Sequence, residues 1–298
     1  MSNSLHGILI INKPAGRTSH DVVAKARGML KERQIGHLGT LDPLATGVLP
    51  LALGDATRLI EFASFDKEYV ATCLLGKTTD SCDITGKVLS EKPAGDTRPE
   101  RIREEVGRLK EIREQVPPMV SAVKSGGRKL YEWARKGIEV ERKARPVRIQ
   151  QAETLRVEPP RAVFRVVCSA GTYVRVLCQS MGEALGTGGC MEKLERTRVG
   201  PFTSRDSLTL EDLGKKLDAG GLSGILLAPS RLVEHLPLVR LGPKDLETFR
   251  HGMKAELPLP EKGPWRVLDE AGRLCAIGEA GNGNELKPRK VFGAEGLA

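Results

Sequence analysis

The chain has 298 residues, 40% of them hydrophobic, with 47 Lys and Arg against 38 Asp and Glu, a net charge of +9. That much apolar material excludes wholesale disorder, and the length suits one ordinary domain plus a smaller one. The basic excess favours a polyanionic partner such as nucleic acid, and no stretch approaches the length of a membrane span.

Taken in order, residues 7–12 read as a short buried strand and Lys13-Pro14-Ala15-Gly16 as a turn. Thr18-Ser19-His20-Asp21 offers a capping-box start to a helix. Val22, Val23, Ala26, Met29 and Leu30 follow at helical spacing, and the helix is predicted to end near Glu32. Residues 36–50 then place a single carboxylate, Asp42, among Gly36, Gly39, Gly47 and the hydroxyls of Thr40 and Thr46. Pro43 drives Asp42 out of the helical region, and the glycines permit positive φ and close approach of a ligand. Residues 48–53 read as a buried strand. An acid on such a loop suits a catalytic group held out of bulk water, yet Asp-Pro is also a common turn dipeptide. The residues alone leave both readings open.

Residues 67–76 are strand-like, with Tyr69 a half-buried aromatic by pattern, and 78–86 form a polar loop. Residues 99–115 read as a charged amphipathic helix with Ile102, Val106, Leu109 and Ile112 on one face. The stretch 124–148 carries nine Lys/Arg and three Glu around Tyr131 and Trp133. That mixture suits an exposed hairpin or helix, or a surface that grips phosphates and stacks bases. Residues 162–169 form an apolar strand, and a helix is expected from 171 with Val176, Leu177, Met181, Ala184 and Leu185 as its core face. Residues 208–217 look helical and 219–224 look like a loop. From 236 the texture is short strands and turns, with a hairpin over 264–269 and 273–278. Six cysteines without a C-x-x-C pair, and five histidines without ligand spacing, predict free thiols in a reducing compartment and no metal. The first six residues lack a basic region followed by a long apolar run, so a cytoplasmic protein is expected.

The string His37, Gly39, Thr40, Leu41, Asp42, Pro43, Ala45, Thr46, Gly47 resembles the catalytic motif of the TruB-type tRNA pseudouridine synthases. Lys13-Pro14-x-Gly16-x-Thr18-Ser19 resembles that family's first motif, which braces the catalytic loop. Lys67-x-Tyr69 matches its base-stacking motif. Gln115-x-Pro117-Pro118-x-x-Ser121-Ala122-x-Lys124 and Leu130-Tyr131-x-x-Ala134-Arg135-x-Gly137 are similar to its RNA-gripping thumb. Tyr173, Arg175 and Leu194 fall on its active-site positions, although Glu195 stands where a basic residue is usual. The likeness covers nearly the whole chain and is strongest over 7–86, 115–137 and 171–200.

The resemblance implies a mixed α/β (α+β) fold. A pseudouridine synthase catalytic domain with a largely antiparallel central sheet spans 1–235, with a thumb insertion at about 115–148. A small β-rich PUA RNA-binding domain spans 236–298. It implies Asp42 as the essential aspartate, paired by Arg175, with Tyr69 stacking on the flipped base. His37 helps hold the T loop open, Tyr173 and Leu194 line the pocket, and Lys13 and Pro14 support the loop. Lys124, Arg128 and Lys129 grip RNA. The implied substrate is the T-loop uridine of the TΨC arm of tRNA, with no cofactor, no membrane and no obligate protein partner. The competing expectations are the catalytic subunit of an RNA-guided synthase and an RNA-binding or RNA-folding protein with a dormant site. The intact Asp42, Tyr69 and Arg175 weigh against dormancy.

Overall fold

Strand β1 (Gly7–Lys13) is buried along almost its whole length because both of its faces are covered: Leu9 and Ile11 pack among helical residues, and Ile8 and Ile10 pack in a second apolar cluster, which is why its sequence is an apolar run. The computed structural model describes residues 5–121, 123–222, 224–281, 284–293 and 296–297. Ala122 of the thumb-like motif, Ser223 of the glycine-rich loop, residues 1–4 and Ala298 lie outside the described residues.

Helix α1 (Ser19–Leu30) starts where the capping box predicts. Asp21 N donates to Thr18 Oγ1 at 3.0 Å, and Thr18 N donates to Asp21 Oδ2 at 2.8 Å. Strands β2 (Ile35–His37), β3 (Thr46–Leu53) and β4 (Lys67–Leu75) follow. Then come helix α2 (Pro99–Arg108), the short thumb helix α3 (Leu130–Ala134) and strands β5 (Ile149–Glu158) and β6 (Arg161–Cys168). Helix α4 (Val174–Ala184) and strand β7 (Gly189–Val199) complete the central layer.

The eight-stranded sheet runs β1-β3-β7-β4-β6-β5, with β2 beside β3 and Phe202–Thr203 beside β7 off that path. Its pairs are antiparallel except β3 with β7, which meet in parallel at Thr46/Glu195 and Gly47/Arg196. A Cβ on Gly47 (φ +101°) would lie 2.3 Å from the Arg196 carbonyl oxygen, so only glycine lets these backbones meet. Along β4 the side chains of Tyr69, Ala71, Cys73 and Leu75 enter one core with Phe164, Ile102, Val106, Leu177 and Met181 under α2 and α4. Further along the same face, Leu9, Ile11, Leu49 and Leu51 pack against α1 and against Leu213 of helix α5 (Leu210–Asp218). Truncating a fully buried ring such as Phe164 to alanine costs about 3–5 kcal/mol.

The C-terminal part holds β8 (Leu238–Arg240), α6 (Pro243–Arg250), β9 (Ala255–Glu256), β10 (Gly263–Leu268), β11 (Leu274–Ala280) and β12 (Glu285–Val291). Its five strands are ordered β8-β10-β11-β12-β9, and β10–β11 is the hairpin expected from sequence. This sheet is no loose appendage. Leu268, Leu274, Ile277 and Phe292 share one apolar cluster with Ile8, Val48, Leu59 and Phe62. The Arg289 guanidinium lies 4.8 Å from the Phe62 ring and 2.8 Å from Glu61, which also pairs Lys290 at 2.9 Å.

Some sequence expectations shift. The helix expected over 99–115 ends at Arg108. A short turn follows, and Glu114–Gln115 then pairs with Arg145–Pro146, so the chain enters the thumb extended. The helix expected from 171 begins at Val174, because Gly171 has φ +87° and Tyr173 is extended. Strands β5 and β7 were not anticipated. Among the described residues no helix is long and apolar enough to cross a membrane.

Candidate active site

The turn between β2 and β3 carries Asp42, and buried polar groups fix it from two sides. On one side Leu41 N donates to Ser19 Oγ at 2.8 Å, and that hydroxyl donates back to Leu41 O at 3.3 Å. The Pro43 carbonyl accepts from Gly16 N at 2.8 Å and from Lys13 Nζ at 3.2 Å, while Lys13 also reaches Pro14 O at 2.9 Å. Burial lowers the Lys13 ammonium to about 8, with the nearby Asp42 charge opposing. On the other side Arg196, fully buried in β7, donates to Val48 O at 2.7 Å, Gly39 O at 3.1 Å and Thr40 O at 3.4 Å. Ala45 N closes the Asp42-Pro43 turn onto Asp42 O at 3.0 Å. Asp42 is therefore held by backbone bracing rather than by packing of its own side chain.

The carboxylate meets Arg175, the second residue of α4, in a two-point contact. Arg175 Nε lies 2.9 Å from Oδ2, and Nη2 donates to Oδ1 at 3.2 Å. Arg175 is 3% exposed, whereas 31% of the Asp42 side chain remains open to the cavity. The guanidinium is held in turn by Ser81 O at 3.0 Å, Val120 O at 3.0 Å and Asp83 Oδ2 at 3.5 Å. Asp83 is buried and accepts from Ser81 Oγ and from Thr85 N and Oγ1. Removal from water pushes the Asp42 carboxyl above its ordinary value, Arg175 opposes that shift, and Asp83 adds to it.

A cavity of about 280 Å³ opens over this pair. Tyr69, Leu41, Leu194 and Val174 give it apolar wall, and Asp42, Arg175, Lys67, Ser121 and the Gly39-Thr40 backbone give it polar wall. Tyr69 is 6% exposed, and burial raises its phenol above the usual range, so the ring is neutral at physiological pH. Tyr173 lines the cavity at the start of α4, where its N–H and C=O meet the Gln115 amide at 2.9 and 3.3 Å. Ser121 Oγ is buried with no hydrogen-bond partner among the described residues.

The structure thus brings together Asp42, Tyr69, Tyr173, Arg175 and Leu194, with Lys13 and Pro14 behind the loop. His37 ends β2 opposite Leu51 and is not part of the cavity lining; burial lowers its imidazole, so it is neutral. Lys124, Arg128 and Lys129 lie apart, on the thumb hairpin. There the Arg128 guanidinium lies 5.4 Å from the Trp133 ring and Lys129 Nζ lies 5.6 Å from the Tyr131 ring. Sequence reasoning gave no role to Asp83 or Arg196, and placed Gln115 and Ser121 only in the motif that resembles the RNA-gripping thumb. The usual basic residue is missing at Glu195, yet one position on Arg196 turns inward, and strand alternation was the signal that could have found it. All six cysteines are unpaired thiols, and no cluster of His, Cys, Asp or Glu among the described residues could hold a metal ion.

An ionisable acid and its arginine, set at the floor of a cavity beside a flat aromatic wall on a basic protein, define an enzyme site for a planar, charged-chain substrate. Residues 27–174 match the model of the TruB family pseudouridylate synthase N-terminal domain, and residues 175–227 match that of the tRNA pseudouridylate synthase B C-terminal domain. A relative from Heliobacterium mobile named tRNA pseudouridine synthase B is 43% identical, covering 98% of this chain and 96% of its own. One of the same name from Heliobacterium modesticaldum is 46% identical, covering 97% and 96%. A solved Cbf5-Nop10-Gar1 complex contains a chain similar in structure, with TM-score 0.76 and 28% identity over 97% of this chain and 85% of that one. The chain belongs to the TruB family and is a pseudouridine synthase.

Proposed function

We propose that this enzyme isomerises the T-loop uridine of tRNA to pseudouridine, with Asp42 as its essential group. The reaction breaks the N1–C1′ bond, turns the uracil, joins C5 to C1′, and moves the C5 proton out so that N1 ends protonated. Nothing is gained or lost overall, which suits a site without cofactor or metal. The base cannot react within a folded T loop, so it is flipped into the cavity at a cost of a few kcal/mol. The Tyr69 ring supplies a stacking face for it. Asp42 acts either as nucleophile at the ribose or as base upon it, and both routes need the anion. The two-point contact with Arg175 favours that anion against the cost of burial, and this contact is the observation that carries the reading. His37 helps hold the loop open from behind the Gly39-Thr40 turn. The thumb, 115–148, and a PUA-type domain, 236–298, grip the rest of the tRNA. Six unpaired cysteines support a reducing cytoplasm as its place.

The likeness to the Cbf5 complex favours a second reading, in which a guide RNA and partner proteins present the substrate. Identities of 43% and 46% to relatives named for tRNA, against 28% to the Cbf5 chain, support the stand-alone enzyme. Incubating the pure protein with an unmodified tRNA transcript and mapping pseudouridine tests both. One modified T-loop uridine is expected. Modification elsewhere overturns the T-loop assignment, and modification only with a guide RNA and partners selects the second reading.

A further inference from the structure

One corner of the cavity has no task in the chemistry above. Lys67, the first residue of β4, lines that corner with Gly39 and Thr40. Its ammonium makes no hydrogen bond or ion pair with any described residue. The candidate counter-charges are all engaged or neutral. Asp42 belongs to Arg175, and Asp66 is taken by Arg148 at 3.4 Å and by the Gln150 amide. Cys168, opposite Lys67 in the β6–β4 ladder, is a thiol that burial pushes up to about 11 and so carries no charge. The carbonyls of the turn that lines this corner, Gly39 O and Thr40 O, accept from Arg196.

The opposite wall is different in kind. Arg175 faces two carboxylates and two carbonyls, whereas Lys67 and Arg196 adjoin each other without a carboxylate between them. Burial, and next the Arg196 charge, lower the Lys67 ammonium. The turn makes room for this arrangement. Gly39 has φ +96°, and a Cβ there would lie 3.0 Å from Lys67 Nζ. The amides of Gly39 and Thr40 and the Thr40 hydroxyl donate to no described residue. A half-buried cation beside unused donors, with no counter-charge of its own, costs folding free energy that an anion would relieve.

We propose that Lys67 and the Gly39-Thr40 turn bind a phosphodiester of the RNA strand that carries the target uridine into the cavity. The proposal rests on the tRNA reading above. A uracil carbonyl would accept one hydrogen bond here and leave the charge uncompensated. A phosphodiester brings a full negative charge and two non-bridging oxygens, one for the ammonium and one for the turn donors.

The test uses Asp42→Asn protein, which holds tRNA without converting it, with and without Lys67→Met. The dissociation constant for a tRNA transcript is measured from roughly 50 to 300 mM KCl. Loss of one single-strand phosphate contact lowers the log–log salt slope by about 0.7, so the same rise in salt weakens binding about 3.5-fold less. Lys67→Arg is expected to restore most of the slope. In the Asp42 enzyme, Lys67→Met is expected to lower kcat/KM mainly through KM, without lowering Tm, since it removes a charge that burial disfavours. An unchanged slope overturns the site, whether the variant loses kcat, which would place Lys67 on the base or the reacting atoms, or loses Tm, which would make it structural. Those outcomes arise with a wild-type enzyme that modifies the transcript. A wild-type enzyme that does not modify it overturns the functional reading itself.

Discussion

The cavity and the thumb are both polar, yet they are built in opposite ways. Around Asp42 three buried cations are each held by more than one partner: Arg175 by two carboxylates and two carbonyls, Arg196 by three carbonyls, Lys13 by two. On the thumb the cations are exposed or half-exposed and rest on aromatic faces, Arg128 and Lys136 on Trp133, Lys129 and Arg135 on Tyr131. Leu130 anchors that hairpin in the core, and Tyr131 N ties it to Ser121 O at 3.1 Å. A site that must stabilise developing charge is preorganised, because its dipoles then need not move during reaction. A surface that must follow an RNA backbone gains more from charge on flexible stems. Changes to Asp42, Arg175 and the groups that brace them should therefore fall on kcat, and changes on the thumb on binding and its salt dependence.

The largest effect is expected at Asp42. Asp42→Asn should abolish turnover while tRNA affinity stays within a few-fold of wild type. Because the folded state raises the Asp42 pKa, the acid limb of the single-turnover rate should lie above the ordinary aspartate value of 3.8. The same sign governs stability. Ionising Asp42 costs folding free energy as pH rises from 3.8 through the folded pKa, so at neutral pH the Asn variant should melt no lower than wild type. A marked drop in Tm would show that the charge of Asp42 holds Arg175 in place and that the chemistry is not its main use.

Tyr69 comes next, and two substitutions separate its roles. Tyr69→Leu removes the ring and should fail. Tyr69→Phe keeps the ring and removes a hydroxyl that burial holds neutral and that lies near Arg196. If that hydroxyl relays the C5 proton, Phe should be slow by about 10²-fold, in the range of acid–base contributions, with delayed tritium release from C5. Near-wild-type release by the Phe variant would leave stacking as the whole role.

Gln115 is the joint between the two regions and should blur the contrast. Its buried amide meets both backbone groups of Tyr173, two residues before Arg175. Gln115→Ala leaves that N–H unpaired, at a cost of about 1–3 kcal/mol, while the C=O keeps the amides of Val176 and Leu177. Loosening the start of α4 should lower kcat on the order of tenfold and raise KM as well. An effect on KM alone would mean the thumb base does not position the catalytic pair.

What could be read in advance follows the same division. The cavity loop was legible because Gly39, Asp42, Pro43 and Gly47 each answer a backbone demand, and α1 because Thr18 and Asp21 close a capping box. Strand β7 was hidden by Glu192, Lys193, Glu195, Arg196 and Arg198. Arg196 is buried through carbonyl partners that no periodicity of hydrophobic residues can announce. Strand β5 was hidden because it lies at the sheet edge and leaves most of its side chains in water. The helix expected to run to 115 stopped early because the thumb draws Gln115 into a two-residue ladder, a contact made only in three dimensions. Nor does sequence texture disclose that the C-terminal sheet shares its core with Phe62 and Leu59.

The smallest effect on turnover is expected on the thumb. Lys124 and Lys129 pair across the hairpin and Arg128 stacks on Trp133, none of them lining the cavity. Replacing all three by Gln removes three cations and leaves the buried anchor Leu130 untouched. If each meets a phosphate of single-stranded character, the log–log salt slope of tRNA binding should flatten by about 2, at roughly 0.7 per contact. KM should rise at low salt and the difference should shrink at high salt, while kcat moves little. Stacking complicates this, because the freed Trp133 and Tyr131 rings can still lie against a base. The slope is therefore the better readout than affinity at any one salt concentration, since stacking adds affinity without releasing counterions. A kcat that falls with the slope would mean the thumb passes its grip through Val120 and Gln115 to Arg175, and the division between the two regions would fail. An unchanged slope and an unchanged kcat together would reduce these cations to an ordinary solvated face.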